Sequence, residues 1–179
     1  MINFPKVQQR VQEELDREVG RDKLPSLGAK GALHYTEAVI HEVHRHATIA
    51  PLAVHHFPLH ETEYAGYSFT RRDMIIPSIY EVHHDPATFP EPHLFNPDRF
   101  IDPEDGKFLP HPAVVPYGVG KRECLGKALA KAEVFLFTSC LLQQFSFHPT
   151  NSGPPALDDC TLAVARSPNP FKVRITSRL

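Results

Sequence analysis

The chain has 179 residues, 41% of them hydrophobic and 22% charged, with a formal net charge of −2; this is the balance of a folded globular protein, long enough for one domain with a sizeable core. The basic residues are scattered and give no nucleic-acid footprint, and no apolar run reaches signal-peptide or membrane-span length. Three cysteines, at 124, 140 and 160, do not make a disulfide framework and point to a reducing compartment.

In chain order, "PKVQQRVQEELDREV" (5–19) sets Val7, Val11, Leu15 and Val19 four apart. That spacing predicts an amphipathic helix, with Pro5 tolerated in its first turn and Gly20 as its stop. After a loop, "LHYTEAVIHEVHRH" (33–46) predicts a second helix in which Tyr35, Ala38, Val39, Glu42, Val43 and Arg45 crowd one side; Pro51 lies beyond its end. Residues 52–80 alternate in short stretches around a turn at Gly66, which predicts short strands in a small sheet. Residues 85–116 are dense in proline and aromatics and have no sustained period. A loop of this length is usually functional, and the regular Phe89, Phe95, Phe100 and Phe108 imply that it is packed down. A glycine-rich loop leads into a third helix, about Leu125 to Gln143, with Leu125, Ala128, Leu129, Ala132 and Leu136 at helical spacing and a C-terminal half apolar enough to be largely buried. The tail, 145–179, carries "TLAVAR" and "FKVRI" separated by prolines, which suits a hairpin.

Two constellations bear on chemistry. Glu42 and Arg45 are three apart, so they share a helix face. An isolated pair of this kind is ordinarily a solvated surface pair, but Ala38 and Val39 lie on the same face. A buried pair needs further partners, and Arg99 in "NPDRF" can supply one. The chain also holds twelve histidines. In "HEVHRH" Arg45 stands where a zinc-binding H-E-x-x-H helix requires histidine, so zinc rests only on histidines three apart; most of the histidines read as surface or loop residues.

Cys124, in "PYGVGKRECLGKALAKAEVFLF", lies at a predicted helix start behind Lys121 and Arg122, a setting that favours a thiolate. A buried inert thiol would not need Gly118, Gly120 and Gly126 around it. A nucleophile would need a base and an oxyanion hole, and neither is nominated. No second cysteine lies at chelate spacing, so a metal here would take its other ligands from a macrocycle, as in haem. The glycines would then let the backbone pass under the porphyrin and aim N–H groups at the sulfur. Haem ligation is the best of the three readings.

"YGVGKRECLG" resembles the haem-binding signature of the cytochrome P450 family, F-x-x-G-x-R-x-C-x-G, with Tyr117 in place of the phenylalanine. "EVHR" resembles the family's E-x-x-R helix and "FNPDRF" its proline-rich meander; "LHYTEAVIHEVHR" and "YEVHHDPATFPEPHLFNPDRF" look most like the microsomal animal enzymes of family two. The resemblance implies a mainly α fold with small β-sheets, the C-terminal part of the cytochrome P450 fold, with residues 1–179 forming a single partial domain. It implies Cys124 as the axial ligand of haem iron, with Arg122, His56, Tyr117, Gly118, Gly120 and Gly126 as haem-binding residues. Glu42, Arg45 and Arg99 would form a buried structural triad. Ile49, Pro51, Leu52, Val54, Leu162 and Val164 would line the substrate pocket.

The implied function is that of a haem-thiolate monooxygenase. It would oxidise a small apolar substrate with O2, using electrons from NADPH delivered by NADPH–cytochrome P450 reductase, with cytochrome b5 as a further partner. Lys121, Lys127 and Lys131 suit an acidic partner. The implied location is the cytoplasmic face of the endoplasmic reticulum membrane. The chain looks like the family's last third, without the anchor or the helices that cover the distal haem face, so it is expected to be inactive alone. "SFTRRDM" (68–74) replaces the family's usual I-P-K-G turn. Two rival readings are a non-catalytic truncated product with residual haem binding and a histidine-rich zinc protein.

Overall fold

Helix α1, Pro5–Glu18, begins with proline in its first turn, where a missing N–H costs nothing. Val11 and Leu15 on its inner stripe are fully buried. It stops as the pattern demands: Gly20 turns to φ 85° and its N–H returns to the Leu15 carbonyl at 3.1 Å. A 3₁₀ turn, Leu27–Ala32, lies inside the expected loop and leads to α2, His34–Ala47. No side chain of its own caps α2. Instead Glu14, buried on α1, accepts the N–H groups of Tyr35 and Thr36 at 2.7 and 2.8 Å and the Thr36 hydroxyl at 2.7 Å. A carboxylate on free N–H groups at a helix start matches the helix dipole.

The buried face of α2 is Tyr35, Thr36, Ala38, Val39, Glu42 and Arg45; Val43, expected on it, is exposed. The third long helix, α4, runs Lys127–Gln144. Val11, Leu15, Val19, Leu33, Tyr35, Val39, Phe135 and Leu142 form the main core between α1, α2 and α4. Burying each large apolar side chain contributes about 1.5–3 kcal/mol. The expected stripe on α4 is corrected by the structure: the helix begins two residues after Leu125, and Leu125, Leu129, Phe137 and Leu141 are exposed. Its apolar residues run around the helix, so periodicity did not reveal which side meets α1 and α2.

The computed structural model describes residues 1–178, and among them the strands form three two-stranded antiparallel sheets. Strands β1 (Thr62–Tyr64) and β2 (Tyr67–Phe69) pair across Ala65 and Gly66, which both adopt positive φ, the geometry of a two-residue hairpin turn. The short helix α3, Ile79–His83, follows and was not expected; its Ser78 cap accepts the Glu81 N–H. Strands β3 (Phe145–His148), β4 (Cys160–Leu162), β5 (Arg166–Pro168) and β6 (Arg174–Ser177) organise the tail. The hairpin between "TLAVAR" and "FKVRI" does not form: β4 turns back on β5, whereas β6 pairs with β3, Phe145 opposite Ser177. The other edge of β3 is closed by α1, where the Gln8 amide exchanges two bonds with Phe147 at 3.0 and 2.8 Å, as a neighbouring strand would.

The proline-rich segment is packed down. Phe89, Phe100 and Val114 make a second core against Ala38 of α2. Asn96 caps a 3₁₀ turn, Pro97–Phe100, by accepting the Asp98 N–H at 3.1 Å.

Candidate functional site

The three residues named from the meander and α2 come together. Glu42 and Arg45 are both 0% exposed, with Arg45 Nε on Glu42 Oε2 at 2.7 Å and Nη2 on Oε1 at 2.8 Å. The rest of the guanidinium serves carbonyls that have no ladder of their own: His83 and Pro92 at 2.8 Å and Leu94 at 3.3 Å. Glu42 Oε1 also accepts the Asn96 N–H at 2.8 Å. Arg99 approaches Glu42 at 3.7 Å, while its Nη groups donate to the carbonyls of Pro90 and Glu91 at 2.6 and 2.8 Å; its Nε is buried without a hydrogen-bond partner. Buried backbone acceptors must be satisfied, and a guanidinium carries five rigidly placed donors. Two arginines therefore do for this irregular segment what a sheet would do elsewhere.

The cysteine loop hangs from the same framework. Val115 N–H donates to His83 Nε2 at 2.8 Å, and Gly118 N–H to the Val115 carbonyl at 3.0 Å. Gly118 and Gly120 take φ 74° and 73°, conformations that other residues rarely adopt. After a 3₁₀ turn at Gly120–Arg122, the Cys124 N–H returns to the Tyr117 carbonyl at 2.8 Å. The Tyr117 hydroxyl lies 3.3 Å from His44 Nε2 on α2; burial, with the nearby Cys124 charge, pushes its pKa up.

Cys124 itself is exposed and free of any disulfide. It lies three residues before the first residue of α4, and no N–H reaches its sulfur among the described residues, so the expected amide bonds to Sγ are absent. Around it Val119, Leu125 and Leu129 are 70%, 102% and 64% exposed. Arg122 is also exposed, and no carboxylate among the described residues pairs with it, whereas Lys127 binds Glu123 at 2.6 Å. This donor set fits haem: a free thiol amid bare apolar side chains, with an available guanidinium for a propionate.

His56 lies apart from this loop, in a bridge whose N–H and carbonyl pair with Ile75, both at 2.8 Å. Pro51 is buried, but Ile49, Leu52, Val54, Leu162 and Val164 are exposed, and none of the six lines the two larger clefts. Their two segments are nonetheless adjacent, because the Arg166 N–H donates to the Ile49 carbonyl at 2.7 Å and its guanidinium to Ala47 at 3.0 Å. A cleft of 530 Å³ lies elsewhere, between Met1–Asn3 and the tail, and another of 310 Å³ lies between α2 and the loop; neither is lined by Cys124.

Of the twelve histidines, His83 and His84 are buried and the others are exposed or half-buried. His83 is fully buried and His41 half-buried, where its Nε2 accepts the His111 N–H at 3.2 Å. Burial, reinforced by neighbouring cations and imidazoles, lowers the pKa of His41, His83 and His84 to about 4. Among the described residues no three metal-binding side chains converge. No described helix is long and apolar enough to cross a membrane. Two residues that order the site, Glu14 and His83, were missed. Their partners lie 21 and 32 residues away, and nothing local marks them.

The Cytochrome P450 family model matches residues 1–175. Similar curated proteins include cytochrome P450 2F3 of Capra hircus, 38% identical over 99% of this chain and 36% of that protein. The steroid 17-alpha-hydroxylase/17,20 lyase of Rana dybowskii is 39% identical over 97% of this chain and 34% of that protein. Cytochrome P450 2U1 of Rattus norvegicus is 38% identical over 97% and 33%. The chain spans about a third of the length of these relatives. With the match running through α1, the buried Glu42–Arg45 pair and the Cys124 loop, the chain belongs to the cytochrome P450 family.

Proposed function

We propose that this chain is the haem-ligating portion, a partial domain, of a haem-thiolate monooxygenase. Within it, Cys124 holds the iron. The observation that carries this reading is the free, exposed Cys124 thiol with exposed Val119, Leu125 and Leu129 along the same loop and helix start, and with Arg122 exposed and without an ion-pair partner among the described residues. Haem, when bound, supplies the activation of O2 for insertion of one oxygen atom into an apolar organic substrate. Cys124 donates the thiolate, and Arg122 neutralises a propionate; His56 would serve the other. Gly118 and Gly120 hold the turn that presents the sulfur, and Gly126 lets α4 start beside it. Glu42, Arg45 and Arg99 brace the meander behind the loop. Ile49, Pro51, Leu52, Val54, Leu162 and Val164 face the substrate.

Electrons come from NADPH through a reductase, with cytochrome b5 as a second donor, on the face carrying Lys121, Lys127 and Lys131. By the resemblance to the microsomal enzymes of family two, it works at the endoplasmic reticulum membrane. Haem-loaded protein, reduced and treated with carbon monoxide, should show the red-shifted Soret band of thiolate ligation. Cys124→His should lose that band while retaining bound haem. An identical spectrum in the two proteins would refute Cys124 as the ligand.

A further inference from the structure

We infer that His83 is a positioning residue: its imidazole ties the peptide leading into the cysteine loop to the buried Arg45 on α2. His83 is the last residue of α3 and is 0% exposed. Its Nε2 accepts the Val115 N–H at 2.8 Å. Its Nδ1 lies 2.9 Å from the Thr48 hydroxyl, and that hydroxyl donates its own proton to the Arg45 carbonyl at 2.6 Å. Thr48 can therefore only accept from the ring, so the hydrogen sits on Nδ1 and Nε2 is left bare for Val115. The His83 carbonyl completes the tie by accepting Arg45 Nη1 at 2.8 Å. One side chain and its own backbone thus reach Arg45 from two directions.

The connection continues to the sulfur-bearing residue. The Val115 carbonyl accepts the Gly118 N–H at 3.0 Å, and the Tyr117 carbonyl accepts the Cys124 N–H at 2.8 Å. A protonated His83 would aim an N–H at the Val115 N–H and break the first link. Burial opposes that charge, as do the groups facing the ring: Arg45 and His41 from α2 and the adjacent His84. Val115 belongs to the loop and brings no charge of its own. This role rests on the haem-thiolate reading for its purpose, yet its test needs neither haem nor substrate.

In the ¹⁵N-labelled full chain, a long-range proton–nitrogen correlation spectrum near neutral pH should show His83 protonated at Nδ1 and bare at Nε2. The opposite tautomer overturns the inference, and this measurement does not depend on any variant folding. His83→Gln keeps an acceptor near the Nε2 position, whereas His83→Asn keeps only the arm toward Thr48. Amide exchange at Val115, Gly118 and Cys124 should be roughly five- to a hundredfold faster in the Asn variant than in the Gln variant, the range expected for a buried N–H left without an acceptor. A residue that merely fills space would not discriminate between the two, so equal exchange rates in folded variants overturn the inference as well. Loss of the thiolate band with these exchange differences intact would instead count against the haem reading alone.

Discussion

Replacing Arg45 by alanine tests the centre of this framework. The substitution removes both bonds to Glu42 and the donors to the carbonyls of His83, Pro92 and Leu94. Glu42 stays 0% exposed with only the Asn96 N–H at 2.8 Å and Arg99 at 3.7 Å. Breaking a fully buried ion pair by deleting one partner costs about 3–5 kcal/mol, because the remaining charge keeps its desolvation penalty. For a chain of this size about 1 kcal/mol shifts Tm by roughly 2–4 °C, so Tm should fall by roughly 6–20 °C. Arg45→Lys should also be destabilised, since an ammonium cannot span Glu42 and three carbonyls in one plane. A Glu42→Met, Arg45→Met double variant should lose less than Arg45→Ala, because the fully buried Glu42 carboxylate is no longer left without its partner. Thermal unfolding followed by far-ultraviolet circular dichroism measures all three. A near-wild-type midpoint for Arg45→Ala would falsify the view that this pair is a buried brace, since exposed pairs contribute only about 0–1 kcal/mol.

Glu14→Ala should lower the stability of the chain by roughly 1.5–3 kcal/mol, the scale of hydrogen bonds to a buried charged group. Urea unfolding reads this as a lower midpoint at unchanged slope; a loss under about 0.5 kcal/mol would mean that α2 is not capped from α1. Acidification should also destabilise the fold. His41, His83 and His84 titrate near 4 when folded against an unfolded value of 6.5, so the unfolded chain binds more protons between those values. The stability from keeping them neutral is present above about pH 6.5 and drains away as the pH falls toward about 4. A melting temperature that stays flat across that window would contradict their burial as neutral rings.

What the chain's order of residues made legible was whatever local chemistry dictates. Val11 and Leu15 at helical spacing, the positive-φ turn at Gly66 and the stop at Gly20 each follow from short-range sterics and periodicity. The Glu42–Arg45 spacing also stands out, because a bidentate pair on one helix face demands those residue types at that separation. The burial of the pair was legible only through its apolar neighbours Ala38 and Val39.

Tertiary structure alone decided the rest, because the competing arrangements look alike over a few residues. The "FKVRI" stretch has the same alternation whichever strand it meets; packing of α1 against β3, through Gln8, leaves it only the other edge. The apolar surface of α4 runs all round, so its buried line is set by where α1 and α2 lie, and Leu129 and Phe137 are left bare. His83 reads as one histidine among twelve until the fold brings Thr48 to one ring nitrogen and Val115 to the other. A hydrogen bond between groups 32 residues apart leaves no pattern along the chain, and only the folded geometry supplies its distance and its single tautomer.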